Sequence, residues 1–246
     1  SYRWNISKKG EIVDPNDETV NFAQLLEKVA LVNPDLRVRF STSHPKDMTD
    51  GVLITMAKYE NICDYVHLPV QSGSSEVLQR MNRGYDREWY MNRMAAIRKY
   101  IPDCGISTDI ITGFCGETEE QHQETISLMK EVKYDYAYMF FYSERPKTLA
   151  ERKFEDDVPL EEKKRRLSEV IAIQRQQSHE SNLRAVGQTF KVLIEGDSKK
   201  SKDELCGRNS QNAMCVFPKK HYQKGDYVNV KVLDCTSATL VCEIVE

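Results

Sequence analysis

Apolar side chains recur at helical spacing over residues 20–32, where Phe22, Leu25, Leu26, Val29 and Val32 share a face before Asn33-Pro34-Asp35 ends the run. The spacing predicts further helices over 50–57, with Val52, Leu53 and Met56 on one side, and over 74–81, 86–100 and 119–132. Between them lie runs that read as strands, at 37–43, 62–70 and 136–142. The run 105–114 joins them, because Ile106, Thr108, Ile110, Ile111 and Thr112 are the β-branched residues that strands favour. Strand and helix therefore alternate, which predicts parallel strands with right-handed crossovers, as an open sheet or a barrel.

After Ser143 the pattern changes. Residues 144–157 read as a charged loop, and 158–185 as a long polar helix with Glu161 and Glu162 in its first turn, where the helix dipole favours acids. From Gly187 onward short strands follow at 189–194, 205–208, 214–217, 227–233 and 240–245, which predicts a small antiparallel barrel of OB-like type. The expected fold is α/β over residues 1–186 and a small β-barrel over 187–246.

Composition removes whole classes of protein. With 40% apolar and 30% charged residues, 11 Gly and 8 Pro, the chain is neither collagen-like, low-complexity nor wholly disordered. No apolar run approaches the roughly 18 residues of a membrane span. Thirty-five Lys and Arg against 38 Asp and Glu leave a net charge of −3, so a polyanionic partner must be met by a local patch. The cysteines Cys63, Cys104, Cys115, Cys206, Cys215, Cys235 and Cys242 are scattered, with no CxxC or CxxxCxxC, which fits a reducing, cytoplasmic setting. The first residue is Ser1, no leader pattern follows it, and the expectation is that the sequence begins mid-protein.

Candidate chemistry gathers where predicted strands end. His67-Leu68-Pro69-Val70-Gln71-Ser72-Gly73-Ser74 closes one strand, on the side where parallel α/β folds place their sites, and Gln71 can both donate to and accept from a hydroxyl. His67 alone reads more simply as a core histidine bonded to backbone. Asp109-Ile110-Ile111-Thr112-Gly113-Phe114-Cys115-Gly116-Glu117-Thr118 ends another strand, and its glycines permit either close approach to a ligand or merely a tight turn. Asp109 lies in an apolar strand, where an unpaired carboxylate is costly, so it should face a polar cavity or a partner. Arg83, in Asn82-Arg83-Gly84, offers a fork for a carboxylate, although surface arginines are common. Lys199, Lys200, Lys202, Arg208, Lys219 and Lys220 crowd into residues 198–220 against Asp203 and Glu204, as a phosphate-tracking face or a solvated one.

Taken together with Met81-Asn82-Arg83 and Tyr142-Ser143-Glu144-Arg145-Pro146, these motifs resemble the radical S-adenosylmethionine methylthiotransferases. Glu195-Gly196-Asp197-Ser198-Lys199-Lys200-Ser201 and Leu205-Cys206-Gly207-Arg208 resemble the TRAM domain that ends those enzymes. The resemblance covers nearly the whole chain. It implies the C-terminal part of a (βα)6 partial TIM barrel followed by an RNA-binding TRAM barrel. It also implies S-adenosylmethionine and two 4Fe-4S clusters as cofactors, with no cluster cysteines and no catalytic or metal-ligating residue in this chain.

By position, the resemblance assigns Gln71 and Asp109 to the ribose of S-adenosylmethionine, Arg83 to its methionine carboxylate, and Gly113 to Glu117 to its adenine side. The implied reaction is methylthiolation at C2 of N6-isopentenyladenosine at tRNA position 37. The TRAM residues Lys199, Lys200, Lys202 and Arg208 would hold the anticodon stem-loop, and an electron donor such as flavodoxin would serve the clusters. Cys115 and Lys147 depart from the family pattern, which has proline and glycine there; neither position needs a polar side chain. Rival readings are a methylthiotransferase for threonylcarbamoyladenosine or for a ribosomal-protein aspartate, and a non-catalytic RNA-binding module. This chain by itself is expected to be inactive.

Overall fold

The computed structural model describes residues 2–7, 11–41 and 44–245. A short antiparallel pair, β1 (Arg3–Trp4) and β2 (Val20–Asn21), leads directly into α1 (Phe22–Ala30). Asn21 starts that helix through a capping box with Gln24, which satisfies two otherwise orphaned amides. Next come α2 (Asp50–Lys58), β3 (Tyr65–His67), α3 (Ser75–Arg80), α4 (Arg87–Tyr100), β4 (Gly105–Thr112), α5 (Glu119–Val132) and β5 (Tyr136–Phe141).

The parallel sheet runs β3-β4-β5. A bridge between Val38 and Ile62 lays the segment around Val38 beside its β3 end, so the predicted strand at 37–43 survives as a bridge; positions 42 and 43 lie outside the described residues. The predicted 62–70 strand is likewise cut to Tyr65–His67. Pro69 has no amide to donate, and the chain rejoins β4 only through a bridge from Gln71 to Ile110.

One face of the sheet carries Val66, Ile106, Ile110 and Ala137 into a core with Leu53, Met56, Tyr90, Ile97, Leu128 and Met129, all 1% exposed or less. Each such aliphatic side chain contributes about 1.5–3 kcal/mol relative to exposure. The alternate residues of β4, Ser107, Asp109 and Ile111, point to the other face, as the two-residue period of a strand requires.

Residues 144–157, expected as a loop, contain α6 (Leu149–Lys153), capped by Thr148. After it runs α7 (Leu160–Ala185). Its sequence reads as polar, yet it packs on the sheet layer, because Gln174 donates to Tyr134 O at 2.9 Å, Gln177 to Met129 O at 2.8 Å and Ser178 to Asp135 O at 2.7 Å. The buried N–H donors thus meet carbonyls, while Gln174 Oε1 and Gln177 Oε1 stay buried without a partner among the described residues.

The remaining strands are β6 (Thr189–Asp197), β7 (Glu204–Arg208), β8 (Met214–Pro218), β9 (Tyr227–Cys235) and β10 (Leu240–Val245). They close a barrel in the order β10-β8-β7-β6-β9 around Val192, Ile194, Phe217, Val230 and Leu240. The expectation of an antiparallel barrel holds for every seam except β8–β10, which is parallel, with Cys215 opposite Leu240. An odd number of strands closed into a ring cannot alternate direction at every seam.

Side chains lock this barrel onto the N-terminal side of the sheet. Arg37 donates to the carbonyls of Arg208 and Lys191, and Arg39 to Asn209 O at 2.8 Å and Asn212 Oδ1 at 2.7 Å. Asp64 and Ser210 exchange two hydrogen bonds, of 2.9 and 3.1 Å. Gly105 sits so close to the carbonyl of Gln211 that a Cβ would collide with it. Among the described residues no helix is long and apolar enough to cross a membrane.

Candidate functional site

At the C-terminal end of the sheet, hydroxyls hold the segment after β3 in place. Tyr90 donates to Leu68 O at 2.9 Å and Tyr85 to Pro69 O at 3.0 Å, while Thr108 Oγ1 accepts from Val70 N at 2.9 Å. Burial pushes the Tyr85 phenol up to about 12, so it stays a donor at neutral pH. This anchored segment delivers Gln71, whose backbone is zipped to β4: its N–H donates to Asp109 O and its carbonyl accepts from Ile111 N, both at 2.9 Å. Gln71 has φ of 75°, a left-handed conformation that costs a non-glycine residue roughly 1–2 kcal/mol. Among the described residues its amide side chain has no hydrogen-bond partner, so strain here accompanies an available recognition group.

Asp109 lies beside Gln71 on the face away from the helices, with its side chain 30% exposed and its Oδ1 3.4 Å from His67 Nε2. His67 Nδ1 meets Ser107 Oγ at 2.7 Å, and Ser107 Oγ meets the Tyr65 hydroxyl at 2.6 Å. A polar chain of Tyr65, Ser107, His67 and Asp109 therefore crosses this face. His67 is buried, as the simple reading had it, but its ring bonds the Ser107 hydroxyl and faces the Asp109 carboxylate in place of the expected backbone partner.

Arg83 follows α3, flanked by Asn82 and Gly84 in left-handed conformations, and stands two residues from Tyr85. Its Nε is buried without a hydrogen-bond partner. A buried guanidinium nitrogen left unpaired favours an anion as its complement. Gln71 and Asp109 thus lie side by side at the end of β3, and Arg83 stands near Tyr85, whose hydroxyl holds the segment that leads to Gln71.

The β4–α5 turn has a different internal logic. Gly113 is left-handed, φ 68°, and a Cβ there would collide with Lys163 Cγ, so glycine is required by the helix packed behind the turn. The Glu117 carboxylate accepts from Gly113 N at 2.5 Å and from Arg166 Nη1 at 3.0 Å, and its side chain is 1% exposed. Burial nevertheless holds this carboxyl above the usual range, against the pull of Gly113 N–H and Arg166. Glu117 therefore shapes the turn from within, and what the turn offers outward is backbone.

Lys199, Lys200 and Lys202 are exposed in the β6–β7 loop, and no ion pair holds them among the described residues. Arg208 is set apart from them at the other end of β7, paired with Glu195, with its carbonyl taken by Arg37. Residues the sequence reading passed over are Arg37 and Arg39, Lys163 and Arg166, and the aromatic row Tyr136, Tyr138 and Phe140. The two-residue spacing of the row and of the Arg37/Arg39 pair was the available signal.

No cysteines come together as cluster ligands among the described residues. Glu119, His122 and Glu169 do bring ligand atoms within 4.8 Å of one another. Their carboxylates already face Arg165 and Arg166, which makes the group an ion-pair network.

Residues 12–129 match the radical SAM superfamily and residues 183–245 match the TRAM domain. The chain is 58% identical over 247 residues to the tRNA-2-methylthio-N(6)-dimethylallyladenosine synthase of Amoebophilus asiaticus, covering 99% of this chain and 51% of that protein. It is 56% identical over 229 residues to the protein of the same name from Parabacteroides distasonis, covering 93% and 50%. The chain thus spans about half the length of the curated relatives it matches. Among solved structures, coproporphyrinogen III oxidase from Escherichia coli, a radical SAM enzyme, matches 78% of this chain and 52% of its own, at 18% identity and TM-score 0.53.

Proposed function

We propose that this chain, whose residues 12–129 match the radical SAM superfamily and whose residues 183–245 match the TRAM domain, is the cofactor-holding and RNA-holding part of a tRNA methylthiotransferase. The relatives are named for 2-methylthio-N(6)-dimethylallyladenosine in tRNA, and the reaction in this reading is methylthiolation at C2 of N6-isopentenyladenosine, at tRNA position 37. The observation that carries this reading is the pairing of Gln71 with Asp109 at the C-terminal end of the parallel strands, together with an Arg83 Nε that is buried without a partner among the described residues.

In this reading Arg83 grips the carboxylate of S-adenosylmethionine, and Gln71 and Asp109 bond its ribose. His67 keeps Asp109 turned toward the ligand, and the turn from Gly113 to Glu117 lies along the adenine with its backbone. Bound S-adenosylmethionine supplies hydrogen abstraction from the substrate carbon and the methyl group. This chain's own residues bind and orient; they supply no cluster ligands, which we place in the half of the relatives that lies outside it. Residues 1–186 form the radical SAM part and 187–246 the TRAM part. Lys199, Lys200 and Lys202 meet phosphates of the anticodon stem-loop, in a cytoplasmic setting with an electron donor such as flavodoxin.

The test is genetic. Transfer RNA from cells lacking the gene should keep N6-isopentenyladenosine and lose its 2-methylthio form, and the full-length gene should restore it. Unchanged 2-methylthio nucleoside in the deletion would overturn the reading.

A further inference from the structure

α5 follows the turn of residues 113–117, and its second turn is bonded to the loop that leaves Gln71. Thr125, 1% exposed, is the centre of that contact. Its Oγ1 accepts from Gly73 N at 2.9 Å and lies 3.2 Å from Ser72 Oγ, which in turn accepts from Ser74 N at 3.2 Å. A Cβ on Gly73 would stand 2.5 Å from both Glu124 O and Thr125 Cα, so the loop lies flat on the helix. A threonine inside a helix ordinarily returns its hydroxyl to the carbonyl four residues back. Here that contact, to Gln121 O, is long at 3.5 Å, and the loop takes the shorter bond.

Gln71 needs an anchor on this side. Its N–H and carbonyl are bonded to β4, and its φ is 75°. A left-handed glutamine persists only where its surroundings over-determine it. The bonds to β4 hold Gln71 itself, and Thr125 holds the two residues that come next. Sheet and helix together therefore fix the direction in which the Gln71 side chain leaves the backbone.

We propose that Thr125 is a positioning residue for Gln71, its hydroxyl setting the loop so that the Gln71 amide meets the ribose of S-adenosylmethionine. The proposal rests on the reading of Gln71 as a ribose contact and names what holds it there. Thr125 touches neither cofactor nor reacting atoms. Gly73 is buried, so its N–H needs an acceptor within the protein. Valine in place of Thr125 keeps the shape and offers none. The amide must then turn elsewhere, and the strained Gln71 beside it is where the chain relaxes.

The effect stays local because other bonds keep the helices together. Gln121, one turn before Thr125, accepts from Arg80 Nη2 at 2.8 Å and donates to Glu76 Oε2 at 2.5 Å, both on α3. Arg87, at the start of α4, donates to Glu124 O at 2.7 Å and to Ser127 Oγ at 2.8 Å. Loss of the Thr125 hydroxyl leaves α3 and α4 tied to α5. It frees only the residues between Gln71 and α3.

The test uses the full-length, cluster-loaded protein, with S-adenosylmethionine affinity read by equilibrium dialysis and folding by thermal melting. Thr125→Val should weaken binding about three- to tenfold, the scale of one hydrogen bond. Thr125→Ala takes its place if the valine protein does not fold. Thr125→Ser, which loses only a buried methyl, should melt lower yet bind as the parent does. Gln71→Ala should also weaken binding, and adding Thr125→Val to it should weaken binding no further, because a positioning residue then has nothing to position. If Thr125→Val binds as the parent while Gln71→Ala is weakened, the proposal is overturned and the reading of Gln71 stands. If Gln71→Ala binds as the parent, Gln71 leaves the site and Thr125 with it. An equal loss from Thr125→Val with and without Gln71, or a serine variant as weak as the valine one, would show packing at work and overturn the proposal.

Discussion

Arg166, on the helix that leads into the TRAM barrel, donates to the carboxylate of Glu117 at 3.0 Å, and the two side chains are 6% and 1% exposed. Arg166 also donates to Glu117 O at 2.8 Å, so one guanidinium fixes both the backbone and the side chain of the turn after β4. The linker helix is thus part of the foundation of the turn after β4. Arg166→Ala leaves Glu117 buried and unpaired, which typically costs about 3–5 kcal/mol. Denaturant unfolding should record that loss. Arg166→Lys, which keeps the charge and loses the fork, should recover part of it.

Arg83→Ala in the full-length protein should weaken S-adenosylmethionine binding by about 1.5–3 kcal/mol, the value of a hydrogen bond to a charged group. Equilibrium dialysis of the ligand measures this directly. An unchanged affinity removes Arg83 from the site.

Replacing Lys199, Lys200 and Lys202 together by Ala should lower the slope of log affinity for tRNA against log salt by about 2–3 units. Arg208→Ala should not lower that slope further, because Arg208 is engaged by Glu195 at the domain junction. A fall in slope with Arg208→Ala would show a phosphate contact there.

Burial holds the Asp64 carboxyl above the usual range, with the Ser210 hydrogen bond opposing it. A raised carboxyl favours folding in its protonated form, so its contribution is full below the ordinary carboxylate pKa and is lost as pH rises through the raised one. Asp64→Asn removes the charge and keeps an acceptor for Ser210. It should melt at or slightly above the parent at pH 7, by less than about 1 kcal/mol at this partly exposed site. The difference should shrink as pH falls and vanish below the ordinary carboxylate pKa of about 3.9. A variant less stable than the parent at neutral pH would show that the charged form is what Ser210 stabilises.

The sequence pattern placed most elements within two residues, because their signals are local. β4 shows a β-branched run, α5 begins at a Thr118 cap with a box to Gln121, and the barrel strands are separated by clear turns. The segment around Val38 failed as a long strand because its backbone bonds only at a bridge. The motifs set Gln71 and Asp109 at strand ends, and there the structure pairs their backbones. The pairing of Glu117 with Arg166, 49 residues along the chain, was not legible, because no local period carries it. The Arg208–Glu195 pair was hidden for the same reason, since Glu195 lies across the β6–β7 pairing, and the Arg37 contact to Arg208 O comes from the other domain.

The central claim is tested most directly by mass spectrometry of nucleosides from isopentenylated tRNA, after anaerobic incubation with the full-length, cluster-loaded protein, reductant and S-adenosylmethionine. The account predicts 2-methylthio-N6-isopentenyladenosine, with threonylcarbamoyladenosine and a ribosomal-protein aspartate left unmodified in parallel incubations. Methylthiolation of either of those in its place, or of none of the three with intact clusters, would contradict it.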